Sequence, residues 1–163
     1  MTPVVRLAQL KDIHSLVDID LKSYVYPWSI DKWREFAADP TCVILLASLK
    51  VEPVGMCVWQ KKLATKKGEI LRLAVKPSHR CQGIGTLLLR NVETEAKENN
   101  LQEIVIIVPE INCFPSHPDD VSEWLLKQGY RAVTPILKNH FRMYGSHCDG
   151  FKFINSFVEE SND

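Results

Sequence analysis

The sequence predicts one α/β domain, a mixed, mostly antiparallel sheet of about seven strands flanked by about four helices. Two observations carry this. Apolar residues change period along the chain, from short runs at strand spacing to i, i+3, i+4 recurrences, in the order βααβββαβαββ. The 163 residues, 45% of them hydrophobic, suffice for one core and give no reason for a second. The domain is expected over 1–157, with "VEESND" at 158–163 as a polar tail.

The elements follow in order. "VVRLA" reads as a short strand, and Leu10, Ile13, Leu16, Val17 and Leu21 then recur at helical spacing. "YPWS" breaks that helix, and Ser29 is placed to cap "IDKWREFAA", whose Ile30, Trp33, Phe36 and Ala37 form an apolar stripe. Asp39-Pro40 ends it. "CVILLASL" and "PVGMCVWQ" flank a short turn from Lys50 to Pro53, which predicts an antiparallel hairpin. "KKLATKK" is expected as a basic loop leading to the strand "EILRLAV". A helix of about 15 residues should start near Gly83, because Ile84, Leu87, Leu88, Val92 and Ala96 share one face. "LQEIVIIVP" is apolar enough for a central strand covered on both sides. "DDVSEWLLKQGY" predicts a short helix capped by Asp119 or Asp120 and stopped at Gly129, before two last strands, "RAVTPIL" through "FRMY" and "GFKFINSF".

Charge and cysteine usage narrow the function classes. Twenty Lys plus Arg balance twenty Asp plus Glu, so the chain lacks the basic field that draws proteins to nucleic acid. The first twenty residues carry charge in every turn and hold no apolar run suited to a signal peptide or a membrane span. A soluble, cytoplasmic protein is expected. Cys42, Cys57, Cys81, Cys113 and Cys148 are odd in number and lack a CxxC pair, which fits reduced thiols. His147 and Cys148 adjoin without two further ligands at workable spacing, so no metal site is expected.

The most informative stretch is "VKPSHRCQGIGTLLLRNVE", residues 75–93, where a strand passes through a proline, Arg80, Gly83 and Gly85 into a helix. The first N–H groups of a helix lack internal partners and glycines admit a ligand close to the backbone, so the turn suits an anion such as phosphate. The spacing fits neither GxxxxGK[ST] nor a dinucleotide fingerprint, whose third glycine would stand at Leu88. Two glycines alone would also serve a plain strand-to-helix connection.

With the element order, "RCQGIG" at 80–85 resembles the Q/RxxGxG/A signature of the GNAT acetyltransferase superfamily, and the resemblance spans most of the chain. "YPWS", "LAVKPSHRCQGIGTLLL" and "KNHF" are similar to FPWS, IAVxPxYxxxGxG and NYY of bacterial ribosomal-protein alanine N-acetyltransferases. The resemblance implies acetyl-CoA as cofactor. Its pantetheine arm would pair with the backbone of Leu73, Ala74 and Val75. Its pyrophosphate would lie on the amides of Cys81, Gln82, Gly83, Ile84, Gly85 and Thr86, with Arg80 completing the motif and Asn112 reaching the cofactor from beyond the fifth strand. Asn112 fits a local loop turn equally well.

The resemblance also exposes two departures. The glutamate base of the related enzymes would stand at Ile107, and the tyrosine of LYxxxGF at Leu125. Histone-type relatives carry their base at the start of the fourth strand, where Glu69 stands, and His117 in the loop "CFPSHPD" at 113–119 is the candidate acid. Plain readings compete: a solvated strand-edge glutamate, and a histidine in an exposed proline-bounded loop. Tyr24, Tyr26, Trp28, Trp33, Phe141 and Tyr144 fall on segments that flank the acceptor in relatives, although the helical spacing of Trp33 with Ile30 and Phe36 assigns it to the core. The expected reaction moves an acetyl group to a primary amine, foremost a protein or peptide N-terminus. A non-catalytic CoA-binding or partner-binding domain and a small-amine acetyltransferase are the alternatives. The chain is expected as monomer or homodimer, with no nucleic-acid or membrane partner.

Overall fold

A computed structural model of the chain describes residues 2–24, 26–109, 121–143 and 146–158, with the backbone alone at 134, 135, 142, 143 and 146–148. The strands are β1 (Val4–Leu7), β2 (Cys42–Leu49), β3 (Glu52–Lys62), β4 (Lys67–Val75), β5 (Glu103–Pro109), β6 (Arg131–Met143) and β7 (Ser146–Ser156). The helices are α1 (Ile13–Ser23), α2 (Ile30–Ala38), α3 (Ile84–Glu98) and α4 (Ser122–Lys127). The strands form one sheet in the order β1-β2-β3-β4-β5-β7-β6. Among the described residues, only the β4–β5 pairing is parallel.

Both sheet faces are covered, which is why β2 to β5 read as nearly continuous apolar runs. On one face Leu16, Ile19 and Trp33 of α1 and α2 pack against Leu46, Met56 and Val58. On the other, Ile84, Leu88, Leu89, Val92 and Ala96 of α3 and Leu125 of α4 pack against Val43, Leu45, Trp59, Ile104 and Phe153. The Glu93 carboxylate, buried on α3, accepts hydrogen bonds from Arg90, Tyr130 Oη and Asn155 Nδ2. It ties that helix to the far strands.

Ser29 caps α2 as expected, its Oγ accepting from Lys32 N at 3.2 Å. The first helix departs from its apolar stripe. Leu10–Asp12 form a 3-10 turn, Leu10 and Leu21 are 74% and 59% exposed, and the buried positions are Leu16, Ile19 and Asp20. The tighter turn rotates Leu10 off the face, and Asp20 is admitted because Arg72 neutralises it. "KKLATKK" is a loop only in its middle: β3 runs through Lys62, Leu63–Thr65 make a 3-10 turn, Lys66 turns the chain with a φ of 56°, and β4 starts at Lys67. Pro135 falls on edge strand β6 between Val133 and Leu137, where the register with β7 is broken, a place that tolerates a residue without an N–H. Gly129 ends α4 with a φ of 95°. Asp119 and Asp120 lie outside the described residues, and Val121 occupies the N-cap without a side-chain bond.

Two features place the site. Val58 and Trp59 pair with Arg72 and Ile70, so Leu71 is an extra residue bulging from β4, a device that bends and twists a strand. The parallel β4–β5 ladder runs from Lys67↔Glu103 to Ile70↔Ile106 and goes no further, although both strands continue. The strands fork there. Among the described residues, no helix is long and apolar enough to cross a membrane, and no group of His, Cys, Asp and Glu is placed to hold a metal.

Candidate active site

Beyond the fork, the end of β4 faces a cavity of about 270 Å³ bounded by α1, the 76–83 turn, α3 and α4. In an antiparallel strand the N–H and C=O of one residue point to the same side. Those of Leu73 and Val75 turn away from β3 toward this cavity: Leu73 O accepts from Tyr24 Oη at 2.5 Å, and Val75 O from Arg80 Nε at 2.9 Å. Ser23 Oγ stands 3.5 Å from Val75 O. An extended chain bearing amides therefore has an open strand edge to pair with, once the side chains on these carbonyls yield.

The turn supplies the second wall. Lys76 N closes on Val54 O, Pro77–His79 make a 3-10 turn, and Cys81 and Gly83 follow with φ of 60° and 81°. A Cβ at Gly83 would meet no atom within 4 Å, so the left-handed backbone, not crowding, is what requires glycine. Cys81 accepts the same conformation with a side chain, at a cost of about 1–2 kcal/mol. Gly83 is the N-cap of α3 and brings no side-chain bond, so the first amides of the helix and its positive dipole end are left for an anion.

The third wall is Trp124 of α4. Its indole packs 3.5 Å from where a Gly85 Cβ would be, and Nε1 donates to Thr86 Oγ1 at 3.4 Å. Leu125, where the resemblance to the family led one to expect a tyrosine, is fully buried in the core behind it. Leu73, Ala74, Val75, Arg80, Cys81, Gly83, Ile84, Gly85 and Thr86 all line the cavity, and Gln82, exposed in the turn, does not. Asn112, His117 and Tyr144 lie outside the described residues.

Glu69 is not brought to the cavity wall. It sits next to the last rung of the parallel ladder, pairing with Val105, and its carboxylate is ion-paired with Lys62. Ile107 packs against Gly150 of β7, whose added Cβ would lie 2.8 Å from Ile107 Cγ2. No carboxylate stands at that position.

A buried cluster fixes the segment that enters α2. Asp20 Oδ1 accepts from Arg72 Nε, Asp20 Oδ2 accepts from Trp28 N at 2.7 Å, and Arg72 Nη2 donates to Tyr26 O at 2.9 Å. The guanidinium lies 3.8 Å from the Tyr24 ring centre and 4.8 Å from that of Trp28. Sequence reasoning placed Tyr24 and Trp28 beside the acceptor but missed their attachment to β4. The signal was present: an arginine inside "EILRLAV" demands a buried acid, and Asp20, one turn after Leu16, is on the buried face of α1. Trp124, Ser23 and His79 were missed as cavity residues because strand and helix spacing says nothing about which loop they meet.

A fork between the parallel strands β4 and β5, a glycine turn and an uncapped helix start are the features expected of an acetyltransferase of the GNAT class. The acetyltransferase (GNAT) family profile matches residues 13–114, and the chain belongs to that family of N-acetyltransferases. A Bacillus subtilis (strain 168) protein, provisionally assigned as a ribosomal protein bS18-alanine N-acetyltransferase, is 26% identical over 139 residues, covering 84% of this chain and 85% of its own. Among solved structures, the Escherichia coli ribosomal-protein-S18-alanine N-acetyltransferase superposes with a TM-score of 0.79 at 15% identity over 99% of this chain and 98% of its own. Ard1 from Thermoplasma volcanium gives 0.81 at 20% identity over 98% and 100%. The expected GNAT fold is what the chain adopts.

Proposed function

We propose that the cavity takes acetyl-CoA and that the acceptor is the α-amino group of a protein or peptide. The observation that supports this most is one cavity joining the free edge of β4 at Leu73 and Val75 to the uncapped start of α3 behind Gly83. The residues fit the group: backbone amides from Cys81 to Thr86 for phosphates, the edge of Leu73, Ala74 and Val75 for an amide-bearing arm, and Trp124 with Ile84 as apolar wall. When bound, acetyl-CoA supplies the thioester that the amine attacks.

The chain's own work is to orient that thioester along β4, exclude water with apolar walls, and relieve the acceptor of a proton. An α-amino group with a pKa of about 8 is partly neutral near pH 7, whereas a lysine near 10.4 is not. That difference favours an N-terminal acceptor in a site whose candidate base, Glu69, already holds Lys62. Glu69 is proposed to take the proton through water at the fork, at the cost of loosening that pair. The relatives named for ribosomal-protein alanine support the same acceptor class. Calorimetric titration of acetyl-CoA, followed by thiol release with N-terminal peptides, lysine peptides and polyamines, tests both parts. Binding with turnover on N-terminal peptides is expected; binding without turnover on any amine would make the domain a CoA-binding module.

A further inference from the structure

The resemblance to the family puts the tyrosine that protonates the departing sulfur at the position of Leu125, which is fully buried here. Yet a phenol lines the cavity from another element. Tyr24, at the C-terminal end of α1, places its hydroxyl on Leu73 O, on the free edge of β4. This rests on the acetyl-CoA reading above: an arm held by its phosphates at the α3 start and running along β4 would pass Val75 first, next to Arg80, and Leu73 about 7 Å further on. Its reactive end would then come to the Leu73 end of the cavity, where Tyr24 Oη stands. His79 and Cys81 also line the cavity, but both belong to the turn, at the phosphate end.

We propose that Tyr24 is the proton donor to the leaving sulfur. Tyr24 gives its phenolic proton to sulfur as the C–S bond breaks and its electron pair goes to sulfur, while the amine nitrogen forms the new C–N bond. The phenolate regains a proton, through water, from the nitrogen that has just been acylated. The net release is the one proton the ammonium carried. Two features of the site suit the role. Burial pushes the Tyr24 phenol up, which keeps it protonated and able to donate. Against that, the Arg72 guanidinium 3.8 Å from the ring centre favours the transient phenolate, an effect that Asp20, paired with the same guanidinium, offsets in part. The hydroxyl needs only to rotate about its C–O bond to leave Leu73 O, since a hydroxyl proton is free to turn.

The test uses coenzyme A as probe and a readout that needs no acceptor: the ultraviolet thiolate absorbance of the bound thiol against pH. A hydroxyl donor stabilises the thiolate, so Tyr24→Phe should raise the bound thiol's pKa by about one pH unit relative to the parent protein. With the acceptor that gives thiol release, kcat should fall about 100-fold while the acetyl-CoA dissociation constant stays within about threefold. Difluorotyrosine at position 24 keeps ring and hydroxyl and so does not threaten folding; it should bring a loss of kcat at alkaline pH into the measurable range. An unchanged thiol pKa and kcat in Tyr24→Phe, or lost CoA binding with kcat retained at saturation, would overturn the proposal and leave Tyr24 a carbonyl cap. An unmoved pH profile in the fluorinated protein would overturn it too. Failure of the parent protein to bind coenzyme A would instead refute the cofactor reading before any variant is made.

Discussion

Arg72 in the middle of β4 and Asp20 in α1, 52 residues apart, form an ion pair in which Nε and Nη2 stand 2.8 and 2.7 Å from one carboxylate oxygen. The second oxygen holds Trp28 N. This pair fastens α1 and the entry to α2 onto the strand that carries the site. Removing one partner from a buried pair leaves an uncompensated charge, which costs about 3–5 kcal/mol. Asp20→Asn should therefore lower the urea midpoint sharply, and Asp20→Leu combined with Arg72→Met should be less destabilising than Asp20→Leu alone. A loss in the double variant equal to the sum of the losses in Asp20→Leu and Arg72→Met alone would show that the pair is not coupled.

The glycine turn makes a different prediction. Gly83 has a φ of 81° with open space around its Cβ position, whereas an added Cβ at Gly85 would touch Trp124 at an ordinary 3.5 Å. Gly83→Ala should cost about 1–2 kcal/mol of stability through backbone strain alone. It should also weaken acetyl-CoA binding in calorimetry, because relief of that strain moves the amides.

Much of this was legible beforehand and some was not, for physical reasons. Strands β2 to β5 and helix α3 declared themselves because burial on two faces and a wide apolar stripe leave a strong periodic signal. The glycine turn was legible because left-handed backbone selects glycine. The site's third wall was not: Trp124 lies one position before Leu125, and only the rotation of α4 decides which of the two meets the core. Tyr24's bond to Leu73 was hidden for a similar reason, since it joins residues 49 positions apart through a bulge at Leu71 that no composition reveals.

Glu69→Gln tests the proposed proton acceptor. The substitution should lower kcat by about tenfold, below the range of a base in direct contact, because water intervenes. The acetyl-CoA dissociation constant should not change, as Glu69 is off the cavity wall. Pre-steady-state thiol release and calorimetry separate the two.

Acid should unlock the first strand. Hydrogen bonds from Arg6 hold the Asp12 carboxyl down at about 2, against an ordinary 3.8. A depressed carboxyl pKa contributes stability that is complete above the unfolded value and disappears as pH falls toward the folded one. The parent protein should thus lose stability between about pH 4 and 2. In Asp12→Asn this part of the acid dependence should be missing, as read from urea unfolding at a series of pH values.

The most direct measurement is thiol release from acetyl-CoA in the presence of an N-terminal peptide, a lysine peptide or a polyamine, each at equal concentration. Turnover on the N-terminal peptide above the other two is the predicted result. Release with none of the three amines, from a protein that also fails to bind acetyl-CoA, would contradict the assignment of the β4 edge and the α3 start as an acetyl-transfer site.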